Sequence, residues 1–364
     1  MSVRQDILRA ARGQMPERVP WTVYDQLLPR GETERILRSQ GMGMVFGNLP
    51  SGLGYTIEQP NVETCQRLEK VRGRTAVRVH YRTPVGTLTD LRTTSYAKGM
   101  AGFHSDWRLE FMVKQPADYE VLEFIIRDQV FCPAYDGVLK AREEMGDDGI
   151  IFSCLKRVPF QRLWVEFTGI ERLTFDLHDD PEPVQRVMDA LLEKDREMWR
   201  VVAGSQVDMV QCPDTVTYQV SGPKLFEQYF LPVYEELVQV INPADKPSFI
   251  HMDGFGRSLA EVVNKLPEGM IVEAFTPPPM GNYSVAEARA AWNGRPIWIN
   301  FPSSTFLSQP DEVEAVTLEI LRQAVPGDGF LLGVTENFPS KYWQQGMTAI
   351  GRVLSRHGGC PIRI

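Results

Sequence analysis

The sequence predicts a (β/α)8 TIM barrel, a fold of the α/β class, on two observations. Short apolar runs recur along the 364 residues, and most are followed by a longer stretch with helical periodicity. Strands that alternate with helices are parallel and joined by crossovers, and eight such units fit a chain of this length. A doubly wound open sheet is the competing fold, but no G-x-G-x-x-G motif follows the first strand.

The predicted elements alternate along most of the chain. The eight strands cover residues 19–24, 42–46, 149–154, 207–212, 247–251, 269–273, 296–300 and 329–333. Helices are predicted at residues 32–40, 181–202, 222–241, 257–266, 284–292, 310–324 and 339–357. Ser284 and Glu287 form a capping-box pattern, and Pro310 and Pro339 stand at helix starts, where a missing N–H group is tolerated.

One region departs from the alternation of strands and helices. About a hundred residues separate the second and third strands, and residues 75–81 and 87–94 within them alternate with period two. Pro84, Val85 and Gly86 supply a turn between these segments, so we predict a β-hairpin that leads into a helix at 118–127. The hairpin is interpreted as a flap or interface insertion at about 55–115 within a single barrel domain, residues 1–364.

Composition excludes several classes of protein. Lys and Arg total 39 against 47 Asp and Glu, a net charge of −8 that argues against nucleic-acid binding. The five cysteines are scattered without a CxxC pair, so neither a zinc knuckle nor a disulfide framework is expected. The first residues lack the apolar core of a signal peptide, and no apolar run is long enough to span a membrane, so we expect a cytoplasmic protein.

Polar side chains follow nearly every predicted strand, where the active site of a barrel is built. They are Asp25, Asn48, Lys156, Arg157, Asp214, His251, Asp253, Glu273, Asn300 and Glu336. Four of these, the histidine and the acids Asp253, Glu273 and Glu336, come from strands that are close neighbours in barrel order. That grouping is the pattern expected of a metal site.

Imidazole and carboxylate ligands suit zinc or a harder divalent ion. Alternate residues of an extended segment share a face, so His251 and Asp253 can bind one ion together. The alternative is a hydrogen-bonded core histidine with carboxylates that serve as acids or lie in solvated loops. Lys156 and Arg157 suit a substrate carboxylate or phosphate, and a surface pair is the alternative for them.

Several segments, taken in order, resemble the motifs of a known superfamily. They are PERVPW at 16–21, PF at 159–160, SGPKLF at 221–226, FLPVY at 230–234, HMDG at 251–254 and GFLLGVTE at 329–336. This order resembles the superfamily of uroporphyrinogen decarboxylase and the cobalamin-dependent methyltransferases. The resemblance covers most of the chain, is best from Pro159 onward, and implies a TIM barrel.

Departures from the superfamily patterns separate its two branches. The arginine-rich loop of the decarboxylase is missing at residues 23–30, its active-site tyrosine corresponds to Val165, and no histidine lies at 333–335. Only Ser221 has a match in that branch. Asp253 and Glu336 occupy the positions of the two zinc cysteines of the methyltransferases, which trades soft thiolates for hard carboxylates.

The resemblance implies a corrinoid-dependent methyltransferase, a demethylase in the sense of O-demethylation. It would move a methyl group between a small oxygen-bearing substrate and a methylcobamide on a separate corrinoid protein. A divalent metal, with zinc expected, would be bound by His251, Asp253, Glu336 and Glu273, and Glu273 and Asp253 would act in catalysis. Residues expected to bind the substrate are Asp25, Asn48, Lys156, Arg157, Asp214, Tyr218, Ser221 and Asn300.

Two alternatives stay open at this point. One is a lyase related to uroporphyrinogen decarboxylase that acts on a carboxylated substrate without a metal. The other is a protein that binds a tetrapyrrole or a corrinoid partner without turnover. A homodimer is an expectation from the resemblance alone.

Overall fold

The computed structural model describes residues 1–47, 54–95, 100–101, 105–252 and 256–364. Its strands, in chain order, are β1 (Trp21–Tyr24), β2 (Met42–Phe46), β3 (Gly54–Glu58), β4 (Glu63–Val71), β5 (Arg74–Thr83), β6 (Gly86–Ser95), β7 (Met100–Ala101), β8 (Ser105–Glu110), β9 (Val130–Ala134), β10 (Gly149–Cys154), β11 (Met209–Cys212), β12 (Ser248–His251), β13 (Met270–Phe275), β14 (Ile297–Asn300), β15 (Phe330–Val334) and β16 (Phe338–Pro339).

Eight of these strands form a closed barrel, which confirms the predicted fold. Its order is β1-β2-β10-β11-β12-β13-β14-β15 and back to β1, and every neighbouring pair is parallel. All eight predicted strands overlap these eight. The barrel strands are buried almost throughout because helices cover the outside and side chains fill the inside.

The helices connect the strands and surround the barrel. They are α1 (Val3–Ala11), α2 (Glu32–Ser39), α3 (Asp118–Arg127), α4 (Tyr135–Met145), α5 (Pro159–Arg162), α6 (Ile170–Asp179), α7 (Pro181–Ala203), α8 (Tyr218–Ser221), α9 (Pro223–Tyr229), α10 (Leu231–Ile241), α11 (Ala260–Val263), α12 (Val285–Ala291), α13 (Pro310–Gln323) and α14 (Trp343–His357). The predicted capping box is present at α12, where Ser284 and Glu287 bond each other's backbone N–H groups.

Three predicted helices are wrong in extent. The single helix predicted at 222–241 is two helices, α9 and α10, because Pro232 cannot donate an N–H to continue the first one. The helix predicted at 257–266 is a 3₁₀ turn followed by the short α11. Pro339 does not start a helix: it lies in β16, which pairs with β7, and α14 begins at Trp343.

The region between β2 and β10 contains a four-stranded antiparallel sheet with the order β4-β5-β6-β8. The two segments predicted as a hairpin are β5 and β6, which pair in antiparallel register with Val77 opposite Arg92. The helix predicted after them is α3, with the predicted bounds, and it packs on β5 and β6. A role for this sheet as a flap or an interface stays a prediction.

Four aromatic rings close the barrel interior in one layer. Tyr24, Phe152, Phe249 and Trp298 come from the alternate strands β1, β10, β12 and β14, as barrel layers do. Successive ring centroids lie 5.3–6.4 Å apart. Gly47 makes room for the layer, since a Cβ there would lie 2.3 Å from the Phe152 ring. Polar side chains beyond this layer therefore lie at the C-terminal mouth of the barrel.

Among the described helices, none is both long and apolar enough to cross a membrane.

Candidate functional site

A chain of polar contacts lies at the mouth, just beyond the aromatic layer. The Tyr24 hydroxyl donates to Glu273 Oε1 at 2.8 Å, and Glu273 Oε2 lies 2.9 Å from His251 Nδ1. On the other edge of the imidazole, Nε2 lies 3.2 Å from Glu336 Oε1. The Gln211 amide donates to the Tyr24 hydroxyl at 3.4 Å. Side chains from β1, β11, β12, β13 and the loop after β15 thus meet at one place.

Strand register explains why these side chains meet. His251 is paired with Glu273 across β12 and β13, and paired residues of parallel strands face the same way. Gln211 is paired with Phe249, which belongs to the interior layer, so Gln211 also faces inward. Of the predicted site residues, the structure brings His251, Glu273 and Glu336 together, and their roles stay a prediction.

The backbone is distorted directly after Glu273. Ala274 has a φ of 65°, in the left-handed region that costs a non-glycine residue free energy, and the pairing with β14 shifts register between Glu273 and Phe275. A bulge re-aims the side chain beside it. Here it lies next to the carboxylate that contacts both Tyr24 and His251.

Burial differs along the chain of contacts. Glu273 is fully buried, whereas the side chains of His251 and Glu336 are 17% and 34% exposed. Burial, and next the charge of Glu273, hold the pKa of Tyr24 well above its usual range. The phenol therefore stays protonated and donates to Glu273. Tyr24 and Glu273 are therefore fixed at the inner end of this series of contacts, and Glu336 at its outer end faces the cleft.

Metal binding stays a prediction, and the described residues bring only some of the predicted ligands together. Glu273 and Glu336 contact opposite ring nitrogens of His251, so the two acids do not face one ion position together. Asp253, predicted both as a ligand and in catalysis, lies outside the described residues, as does Asn48. Within the described ranges, no three His, Cys, Asp or Glu side chains are grouped to hold a metal ion.

Two residues predicted to bind substrate are instead engaged within the protein. Asp214 is fully buried, and its two oxygens accept from the Val158 N–H at 2.8 Å and the Tyr234 hydroxyl at 2.9 Å. The Asn300 amide donates to Thr276 and its oxygen accepts from the Thr335 N–H. Both side chains fasten mouth loops to each other, because their polar groups are satisfied internally.

The remaining predicted substrate-binding residues differ in exposure. Tyr218 is 53% exposed, and Ser221 is fully buried with a hydroxyl that lacks a hydrogen-bond partner among the described residues. Asp25 follows β1 and is half-buried; burial raises its pKa, against the pull of the Arg30 charge. These three residues surround the mouth, and their contact with a substrate stays a prediction.

Lys156 and Arg157 follow β10 at the same mouth. Both are half-buried, and Arg157 Nη1 lies 3.7 Å from Glu166 Oε1. Burial raises the pKa of the Cys154 thiol to about 11, while the positive charges of Lys156 and Arg157 oppose that rise. The half-buried thiol therefore stays protonated.

Tyr24 and Gln211 are site residues that the sequence reasoning missed. Tyr24 is the last residue of the first barrel strand, so its position was a signal in itself. Gln211 is an amide within an otherwise apolar run, one residue before the cysteine taken as the strand end. Strands show side chains on alternate faces, and Gln211 rather than Cys212 is on the inner one.

A cavity of about 680 Å³ lies at the opposite, N-terminal end of the barrel, beside the residues that precede β12, β13 and β14. Its cations are engaged: Lys246 donates to the carbonyls of Ala203 and Ala244, and Arg295 donates to three carbonyls. Barrel enzymes place their chemistry at the other end. This cavity is therefore not the candidate active site.

Comparison with known proteins agrees with the fold. The sequence profile of the family described as Uroporphyrinogen decarboxylase (URO-D) matches residues 164–339, a range that includes His251, Glu273 and Glu336. The match covers slightly less than half of the chain and is a similarity to this family of enzymes. It does not choose between methyl transfer and decarboxylation. No curated protein matches the sequence.

A solved structure supports the fold. A methyltransferase from Methanosarcina mazei aligns with a TM-score of 0.56 at 11% identity, covering 97% of this chain and 98% of that one. Two structures of the pneumococcal exo-beta-D-N-acetylglucosaminidase StrH align at 10% identity with TM-scores of 0.37 and 0.38, covering 95% of this chain and 86% and 85% of theirs. Only the first score is high enough to bear on the fold.

Proposed function

We propose that this protein is a corrinoid-dependent methyltransferase that demethylates a small oxygen-bearing substrate. A divalent metal would be bound by His251 and Glu336, with Asp253 as a further ligand. The methyl group would leave the substrate oxygen for cobalt on a separate corrinoid protein, and the oxygen would take up a proton. The observation that carries the proposal is the imidazole held between two carboxylates at the barrel mouth.

The hydrogen bonding of His251 supports a cation at its outer edge. A carboxylate accepts, so the contact with Glu273 places a proton on Nδ1 and leaves a lone pair on Nε2. That lone pair faces a carboxylate oxygen of Glu336 at 3.2 Å, and two acceptors at this distance require a proton or a metal ion between them.

The distance itself fits two ligands of one ion. Zinc binds nitrogen and oxygen donors at about 2.0–2.1 Å in a tetrahedron, which places two such donors about 3.3 Å apart. The observed separation of 3.2 Å between Nε2 and Oε1 agrees with this value. When bound there, a divalent metal supplies Lewis acidity that polarises a substrate oxygen.

Glu273 has a different role in this proposal from the ligand role expected from the sequence. Its two oxygens are bonded to Tyr24 and to His251 Nδ1, so it orients the imidazole with Nε2 directed toward Glu336. Tyr24 in turn fixes the carboxylate. Removal of such an orienting carboxylate weakens metal binding by about 10- to 100-fold in comparable sites.

The lyase alternative is favoured by one observation, the cationic pair Lys156 and Arg157 at the same mouth. These side chains suit a carboxylated substrate, and a decarboxylase of this type would need no metal. Metal content separates the two proposals.

The test is elemental analysis of protein purified without chelator, in the wild type and in His251→Ala and Glu336→Ala, singly and together. We expect one equivalent of a divalent metal in the wild type and loss in each variant, because each removes a donor atom. Glu182→Ala serves as the matched control, since that side chain is 81% exposed on α7. Absence of metal from the wild type after added zinc would contradict the proposal and favour the lyase.

Methyl transfer is then assayed with free cob(I)alamin as the acceptor and methoxylated compounds as donors. Formation of methylcobalamin by the wild type, and its loss in Glu336→Ala, is the expected result.

A further inference from the structure

Lys156 is a half-buried cation that follows β10 at the barrel mouth. Within the described part of the chain it makes no hydrogen bond or ion pair. Buried lysines are normally paired, because an ammonium group that leaves water loses hydration free energy. A lysine in a cleft without a partner is therefore suited to bind an anion from outside.

Among three neighbouring cations, Lys156 alone makes no direct ion pair within the described residues. Arg162 is paired with Asp195 at 3.1 Å, and both side chains are 3% exposed. Arg157 is only loosely paired with Glu166 at 3.7 Å, and its Nε is buried with no hydrogen-bond partner among the described residues. A third acid, in the loop after β11, also interacts with the Arg157 charge, so the cations and acids balance in number. Lys156 is therefore distinguished by the lack of a direct contact.

Strand geometry places Lys156 in the same cleft as His251. Phe152 lies in the interior aromatic layer, and alternate residues share a face, so Cys154 and then Lys156 continue along the inner side. β10 and β12, the strands that precede Lys156 and carry His251, are separated only by β11 in the barrel. The cationic pair and the imidazole therefore lie on nearby parts of one mouth.

We propose that Lys156, with Arg157, binds an anionic group of the substrate, a carboxylate or a phosphate, at the part of the cleft beside β10, while His251 and Glu336 contact its other end. The inference rests on the proposed function, which identifies the other end of the substrate as the oxygen-bearing group. The geometry also bounds the length of the substrate. β10 and β12 are two strands apart, about 10 Å at the usual spacing, so a single ring or a short chain spans the gap.

Charge energetics agree with this assignment. Burial, and next the positive charge of Arg162, lower the pKa of Lys156. The ammonium form is therefore less stable in the free protein than it would be in water. A bound anion reverses the effect and stabilises the ammonium form. Loss of one charge-assisted hydrogen bond typically weakens binding by about 10- to 100-fold.

The test compares three probes that share a phenyl ring: benzoate, phenyl phosphate and the neutral benzamide. Binding is measured by calorimetry and by thermal stabilisation at constant ionic strength, with and without added zinc. We expect an anionic probe to bind the wild type at least tenfold more tightly than benzamide, and the preferred anion identifies the group. Lys156→Met should lose this preference, and Lys156→Arg should keep it. Lys140→Met, at a side chain 74% exposed on α4, is the matched control.

Each other outcome overturns the inference. Equal binding of benzamide and the anions, no binding of either anion, or an unchanged preference in Lys156→Met would each show that Lys156 does not hold an anion. The two proposals fail separately, because binding of benzoate needs neither metal nor methyl transfer. A protein that binds benzoate through Lys156 but lacks metal would retain the anion site and lose the methyltransferase assignment.

Discussion

Asp214 lies at a strand end yet faces neither the cleft nor the solvent. It is fully buried, and it joins the loop after β10 to α10 through Val158 and Tyr234. Burial raises its pKa to about 6, although both hydrogen bonds act in the opposite direction. A carboxylate at a strand end can therefore serve the scaffold, and residue type alone does not distinguish this from substrate binding.

The raised pKa of Asp214 predicts a pH-dependent stability. The folded protein binds the Asp214 proton more tightly than the unfolded chain, so this residue's contribution to the free energy of unfolding decreases as pH rises from about 4 to about 6. A shift of about two units corresponds to about 3 kcal/mol. Urea unfolding across this pH range should show a smaller decrease in Asp214→Asn than in the wild type.

The control for this measurement is Asp147→Asn, at an exposed residue before β10. Its stability should follow the wild-type pH dependence. If Asp214→Asn also followed it, the assigned pKa of Asp214 would be wrong.

At the scale of elements, the bulge in β13 determines where Glu273 points. The left-handed Ala274 is fully buried and separates Glu273 from Phe275 in the pairing with β14. Strain of this kind is retained where the surrounding structure over-determines it, commonly beside functional groups. A regular strand would give Ala274 ordinary β geometry and leave the carboxylate without this local adjustment.

Glycine at position 274 should relieve the strain. Left-handed geometry costs an L-residue about 1–2 kcal/mol, whereas glycine adopts it freely. Glycine also loses more backbone entropy on folding, which offsets part of this gain. We therefore expect Ala274→Gly to increase the free energy of unfolding by about 0 to 1 kcal/mol. Ala288→Gly, in the regular helix α12, should be destabilised by about 1 kcal/mol or more. Equal destabilisation of both variants in urea would contradict the strain.

At the scale of the whole molecule, the site joins strands that are not neighbours. Tyr24 on β1 bonds Glu273 on β13 across the barrel, 249 residues away in sequence. Gln211 on β11 and His251 on β12 complete the connection. The mouth is therefore held by side chains across the barrel as well as by the strand ladder around it.

A double-mutant cycle measures this link. Tyr24→Phe removes a donor from a fully buried carboxylate, so we expect a loss of about 1–3 kcal/mol in the free energy of unfolding. In Tyr24→Phe/Glu273→Gln the losses should be less than additive, because Tyr24→Phe removes the contact that Glu273→Gln weakens by taking away the carboxylate charge. Tyr218→Phe, at a side chain 53% exposed, should change stability little. Strict additivity of the two buried variants would refute the link.

The sequence by itself determined the barrel and the end of it that carries the site. Fully buried parallel strands must be apolar along their length, so each of the eight is visible as a short apolar run. Parallel strands also end on one side, so His251, Glu273 and Glu336 could be grouped before any coordinates. The helix breaks are less visible in the sequence because they depend on long-range contacts. Pro232 nevertheless marks the break between α9 and α10.

Only the tertiary structure decided which polar groups face the cleft and what each contacts. A shift of one residue in strand register moves every side chain to the other face of the sheet. Whether Gln211 or Cys212 faces the interior therefore depends on the register, which composition does not reveal. The placement of Glu273 and Glu336 on opposite nitrogens of His251 depends on three strands and a bulge. Partners so distant in sequence meet only when the barrel closes, which is the physical reason that local pattern could not assign their roles.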